Sequence, residues 1–373
     1  MFRFGTVSYN IYANFTNYGS ALQTWALHQA INSIGKDKWQ AVLVDYCPAI
    51  LKDKDPLNPF GNLWDKDEES RQMCELSLPA IQVNYKKFQE FYRNRFTRTE
   101  RKYTAKNFNN IVANESIDGF VCGSDTIFCI DEFGFDDGYY ANYSCMKSGY
   151  TVAYAASFGD SHFKENDYNT LDQRIKNFKA IGLREQTMIP YISKQTDIPV
   201  QRVIDPTLLL PVKVYDDKLT VPRIVKEKYL LYYSRRYNPD MEKYVEKLAH
   251  KHHWKIVEIS LRAVNARKHQ MFYEAGVEEF LSLVKYAEFV VTNSYHGMIF
   301  SIQYKRPFAI FSREQCDTKN RELLQLLDLS NRLNPYTRDI AEVPVDYEKV
   351  HSIIESEREV SLGFLRNELE GCQ

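Results

Sequence analysis

Residues 289–301 read FVVTNSYHGMIFS. An apolar, β-branched run ends in Thr292, Asn293 and Ser294; Tyr295, His296 and Gly297 follow, and a second apolar run begins. That order predicts a buried strand, a tight turn and a helix, the unit of an α/β sheet. In open α/β sheets the carboxyl ends of the strands face the ligand crevice. A helix start offers free N–H groups and partial positive charge to an anion. His296 therefore stands where an imidazole can meet a phosphate or carboxylate. The competing reading is a buried structural histidine.

The rest of the chain repeats the alternation. Residues 2–8 predict a strand, 20–34 a helix stopped at Gly35, and 41–46 a second strand, a β-α-β unit that builds parallel sheets. Residues 48–70 are charged and contain proline, which predicts a surface excursion, and helical stretches follow around 82–94 and 104–114. Residues 119–125 (GFVCGSD) predict a short buried strand ending in a turn, 126–149 a long aromatic and acidic loop, and 151–157 another buried strand. Residues 166–192 read as helical, and 203–210 as an apolar segment around Asp205 and Pro206. A charged stretch at 211–228 is the linker candidate. A second series follows: strands at 229–233, 255–260 and 307–311, with helices at 239–250, 277–285, 319–328 and 347–369. The expected architecture is α/β, with two Rossmann-like doubly wound domains facing a cleft. Their limits are 1–210, the linker 211–228, and 229–344, with a C-terminal helix in 345–373 packing back on the first domain.

A chain of 373 residues, 44% hydrophobic, is long enough for two cores. A net charge of −1 excludes the strong field of a nucleic-acid or membrane-surface binder. Mean hydropathy is −0.47 and no apolar run approaches about 18 residues, so no transmembrane span is expected. The N-terminus, MFRFGTVSYN, lacks the apolar core of a signal peptide and reads as the first strand, which favours a cytoplasmic protein. Seven cysteines without a CxxC pair argue against a disulfide framework and a zinc site. No GxGxxG, P-loop or serine-centred elbow is present, and the His252-His253 pair has no metal-ligand partners at helical spacing.

Five segments together resemble the polysaccharide pyruvyl transferase family: residues 17–23 (NYGSALQ), 123–125 (GSD), 153–159 (AYAASFG), 205–209 (DPTLL) and 292–297 (TNSYHG). Residues 321–324 (RELL), ahead of Leu329 and Arg332, resemble the family's late helix. The resemblance implies a fold similar to GT-B glycosyltransferases with the active site between the domains. It implies phosphoenolpyruvate as donor, with no further cofactor. It implies as acceptor a hexose of a surface polysaccharide or of its free or lipid-linked precursor, and as product a pyruvate ketal. A lipid-linked acceptor would bring the protein to the inner face of the membrane. In characterised members an Arg-x-His motif helps hold phosphoenolpyruvate; this chain keeps His296 and carries Ser294 in the place of the Arg.

That chemistry needs cations for a carboxylate and a phosphate, an acid for the methylene carbon and a base for the sugar hydroxyl. His296 is the candidate acid, or a phosphate contact, since histidine titrates near neutral pH. Asp125 is the candidate base, with a helix N-cap as the alternative. Arg235 and Arg236, after strand 229–233, are candidates for the charge that Ser294 does not supply; Arg184 and Arg313 are others, although Glu185 could neutralise Arg184. Asn17, Tyr18, Gly19, Ser124, Asn293, Ser294, Tyr295 and Gly297 complete the expected binding set. Asp205 reads as a structural turn, and Asp131, Glu132, Asp136 and Asp137 as a solvated loop. Two other functions remain open: a nucleotide-sugar glycosyltransferase of GT-B type, and a non-catalytic relative in polysaccharide assembly.

Overall fold

A computed structural model describes residues 1–12, 16–55, 57, 68–219, 221–260, 262–313 and 317–372. Most of the second half of the 48–70 excursion lies outside the described residues. The described strands form two sheets, parallel throughout. The first holds β1 (Phe2–Val7), β2 (Trp39–Leu43), β3 (Gly119–Cys122), β4 (Tyr150–Ala156), β5 (Ala180–Leu183) and β6 (Val200–Arg202), in the order β2-β1-β3-β4-β5-β6. The second holds β7 (Tyr229–Tyr233), β8 (Lys255–Ile259), β9 (Gln270–Met271), β10 (Phe289–Thr292) and β11 (Phe308–Ile310), in the order β11-β10-β7-β8-β9. Strands such as Tyr229–Tyr233 are buried along their whole length, as a sheet covered on both faces requires.

Strand order fixes where a ligand crevice opens. The chain reverses its direction of winding at β1 in the first sheet and at β7 in the second. The crevices therefore lie beyond the carboxyl ends of β1 and β3, and of β7 and β10. Ser8 and residues 123–125 follow the first pair; Ser234 and residues 293–294 follow the second. Two of the segments singled out by sequence, 123–125 and 292–297, are thus strand ends at the two switch points, and Arg235 and Arg236 follow a third such end.

The Tyr18–Gly35 helix is buried on nearly every side, because it sits between the two sheets rather than on an outer face. Tyr18 stacks on Phe280 with ring centroids 4.6 Å apart, and its hydroxyl donates to the Ala275 carbonyl at 2.8 Å. The Glu68–Asn94 helix reinforces this joint through Lys87 to Glu279 and Arg95 to Glu278. The Tyr347–Glu370 helix returns to the first sheet, where Phe364 meets Tyr154 and the Arg358 Nε donates to the Leu208 carbonyl at 2.8 Å.

Three segments differ from expectation. Residues 166–192 are not one helical stretch: the Glu165–Ile175 helix, β5 and the Ile189–Gln195 helix divide them. Four apolar residues suffice for β5 because it is paired on both sides. The charged 211–228 stretch contains the Val212–Leu219 helix, which buries Tyr215 and Leu219. The 126–149 loop folds two short helices, Ile130–Phe133 and Ser144–Ser148.

Candidate active site

β3 is followed by Gly123, whose φ of +147° and contact with the next strand admit no side chain: a Cβ would lie 2.0 Å from the Tyr154 carbonyl oxygen. The Gly123–Ser124 peptide is cis, and Asp125 has φ +72°. This turn aims two polar side chains at the first crevice. The Ser124 hydroxyl donates to the Ala155 carbonyl at 3.0 Å and accepts from Arg184 Nη2 at 2.6 Å. Asp125 Oδ2 accepts from the Ser20 hydroxyl at 2.6 Å, and Oδ1 from the Thr126 amide at 3.0 Å. Burial opposes ionisation of Asp125, but the charges of Lys319, His296 and Arg184, with the Ser20 hydrogen bond, outweigh it and hold the carboxyl below its ordinary range. A carboxylate kept charged in a buried crevice can accept a proton or a hydroxyl hydrogen bond.

Arg184 ends β5 and is also buried. Its Nη2 lies 2.8 Å from Asp205 Oδ2, and the same oxygen lies 3.4 Å from His296 Nε2. Asp205, expected as a turn residue, is instead a fully buried carboxylate shared by a guanidinium and an imidazole. It does also cap the Pro206–Leu209 helix, through Oδ1 and the Thr207 amide. Desolvation works against its charge, yet Arg184 and His296 hold it well below the usual carboxylate range. Glu185, expected to neutralise Arg184, turns its Oε1 to the Ser157 hydroxyl, and burial pushes its carboxyl up. Arg184 Nε and Nη1 have no hydrogen-bond partner among the described residues.

His296 opens the Tyr295–Gln303 helix, capped by the Ser294 hydroxyl, which accepts from the Gly297 amide at 3.3 Å. Its imidazole lies against Gly19. Tyr295 is buried between two cations: Arg184 lies 5.0 Å and the Lys319 ammonium 5.6 Å from its ring centroid. Lys319 rides on the Asp317–Leu326 helix and is only 5% exposed. Arg184, Arg202, Asp205, Tyr295, Lys319 and Glu322 help line a cavity of about 250 Å³, below the range of about 300–1,000 Å³ of drug-sized sites and suited to a small ligand.

Gly19, Ser124, Asp125, Arg184, Tyr295 and His296 thus come together. Other candidates are engaged elsewhere. Asn17 caps the Tyr18–Gly35 helix by accepting from the Ser20 amide at 3.2 Å, and Tyr18 belongs to the joint between the sheets. Asn293 staples the turn after β7, accepting from the Arg235 amide at 2.8 Å and donating to the Arg236 carbonyl at 2.6 Å. Arg235 reaches the Thr16 carbonyl through Nη1 at 3.4 Å, Arg236 is exposed, and the Arg313 amide donates to Asp317 at 3.0 Å. The helix-start Gly297 packs on Thr292. Besides Arg184 and Arg202, the cavity beside Tyr295 takes basic charge from Lys319, which sequence reasoning missed because its helix reads as an ordinary amphipathic one. The signal was a lysine in the first turn on the apolar side of that helix.

A separate cluster, His252, Asp339 and Glu342, is the one group among the described residues that could hold a metal ion. Lys251 already lies 2.5 Å from Asp339 and 2.9 Å from Glu342.

The family model for polysaccharide pyruvyl transferase matches residues 17–315, a span that includes the named residues of the site except Lys319 and Glu322. The chain belongs to the polysaccharide pyruvyl transferase family. It is a transferase of that family, in a family named for polysaccharide work. No curated protein matches the chain. Among solved structures, S. aureus MnaA with UDP is 12% identical, covering 95% of this chain and 88% of its own, with a TM-score of 0.50. UDP-N-acetylglucosamine 2-epimerase from Rickettsia bellii is 11% identical, covering 98% and 97%, also at 0.50. At that identity the likeness is one of fold: this chain shares the paired Rossmann-like, GT-B-like arrangement. Among its described residues no helix is long and apolar enough to cross a membrane.

Proposed function

We propose that this pyruvyl transferase moves the enolpyruvyl group of phosphoenolpyruvate onto two hydroxyls of a hexose in a surface polysaccharide or its precursor, forming a pyruvate ketal. The observation that carries the reading is the pair of buried cations, Arg184 and Lys319, lining one cavity of about 250 Å³. Such a cavity favours a small, multiply charged donor.

In this reading a proton is added to the methylene carbon, and the central carbon becomes electrophilic. A sugar hydroxyl adds there and gives up its proton to Asp125, which its surroundings keep ionised. The bond from the central carbon to the phosphate oxygen then breaks and phosphate departs. The second hydroxyl adds to the same carbon, and its proton leaves with phosphate or solvent. His296 is the group to supply the first proton or to hold the phosphate. In either role the Asp205 carboxylate faces the imidazole, 3.4 Å from Nε2. Arg184, oriented by Asp205 and Ser124, keeps donors for the donor's anionic groups.

Calorimetric titration of phosphoenolpyruvate into the native protein and His296→Ala tests the reading. Saturable binding, weakened tenfold or more by the substitution, is the expected result. No binding at millimolar donor sinks it, and nucleotide-sugars are then titrated in its place.

A further inference from the structure

Lysine is almost never buried without an anionic partner. Lys319 is 5% exposed, yet among the described residues no carboxylate lies within 4.0 Å of its ammonium, which sits 5.6 Å from the centroid of the Tyr295 ring. Its charge is felt by Asp125, Asp160 and Glu185. Asn320 beside it is fully buried, and neither side-chain atom has a hydrogen-bond partner among the described residues. The helix start itself is already spent: the amides of Asp317 and Thr318 donate to the Asp160 carboxylate at 2.8 and 3.1 Å. What the helix offers the cavity is therefore the Lys319 ammonium, not its dipole.

Of the three cations lining the cavity beside Tyr295, Arg202 is paired with Glu357, and the other two are unequal. Arg184 has Asp205 at 2.8 Å and Lys319 has no such counter-ion. A ligand with one singly and one doubly charged end is best placed with the singly charged carboxylate at the compensated guanidinium fork and the phosphate at the uncompensated ammonium. We infer that Lys319 is the phosphate contact of the donor site, with Asn320 as its neutral neighbour, and that it makes the cavity selective for a phosphorylated over a plain carboxylate ligand. The inference rests on the donor reading above and adds to it a residue and a selectivity.

The test titrates phosphoenolpyruvate, inorganic phosphate and pyruvate separately into native protein, Lys319→Met and Lys319→Arg. Lys319→Met should weaken phosphoenolpyruvate and phosphate at least tenfold and leave pyruvate within twofold; Lys319→Arg should recover most of the loss. Unchanged phosphoenolpyruvate binding by Lys319→Met overturns the inference and leaves the donor reading standing. An equal loss for pyruvate also overturns it. Lys319-dependent binding of phosphate without binding of phosphoenolpyruvate overturns the donor reading and leaves Lys319 as an anion contact. Absence of both overturns both. If Lys319→Met does not fold, Lys319→Gln carries the same comparison.

Discussion

Gly19 and His296 occupy each other's space: a Cβ at position 19 would lie 2.1 Å from the imidazole Nδ1. The first helix of the chain thus sets the seat of a histidine 277 positions later in the sequence. An alanine inside a helix ordinarily stabilises it over glycine by about 1 kcal/mol. Gly19→Ala should gain little or nothing in stability and cost roughly 100-fold in turnover, since a displacement of about 1 Å at a reacting group is enough for that. Phosphate release from phosphoenolpyruvate with acceptor, read beside the thermal midpoint, checks both halves.

Asp205→Asn should destabilise the fold by about 3–5 kcal/mol, the cost of leaving a buried charge without its partner. Because the folded carboxyl lies below its unfolded value, its stabilisation is present above the unfolded value of about 3.9 and fades as pH falls through the folded one. The gap between native and variant midpoints should therefore be full at pH 7 and shrink steadily below pH 4. A gap constant down to pH 2 would contradict the ion-pair account.

Asp125→Asn separates binding from chemistry. In the proposed reaction the carboxylate repels the anionic donor and takes the hydroxyl proton. Phosphoenolpyruvate should bind as tightly or more tightly, while kcat falls about 10²–10⁴-fold. A parallel loss of affinity and turnover would make Asp125 a structural residue.

Asp160→Ala removes the cap from the Asp317–Leu326 helix, worth about 1 kcal/mol of stability. Asp160 lies on the first sheet's side and touches no donor, so it acts as a positioning residue. KM for phosphoenolpyruvate should rise about tenfold with kcat nearly unchanged; Asp160→Asn, which keeps an acceptor, should recover part of it.

The alternation of strands and helices was legible because parallel strands are buried on both faces and read as short apolar runs. Gly19, Ser124, Asp125 and His296 were legible because strand ends at switch points carry small and polar residues in short motifs. β5 was not, since Ala180–Leu183 sits among helix-forming neighbours and owes its conformation to pairing with β4 and β6. Asp205 looked like a turn because its partners lie 21 positions before it and 91 after it in the sequence. Lys319 was invisible for a similar reason: nothing local says that its helix will be pinned across the crevice by Asp160 and by Glu322, which accepts from the Gln186 amide at 2.8 Å.

That pinning makes ligand affinity a gauge of how the halves of the molecule meet. Arg184 is fixed to the first sheet, whereas Lys319 arrives on a helix that follows β11 of the second. A donor gripped at both ends as proposed would span the seam, so any change that widens the seam would lengthen the grip it must make. Substitutions far from the chemistry, at Tyr18 and Phe280, would then be read out first as weaker donor capture, and a bound donor would in turn resist the parting of the two sheets.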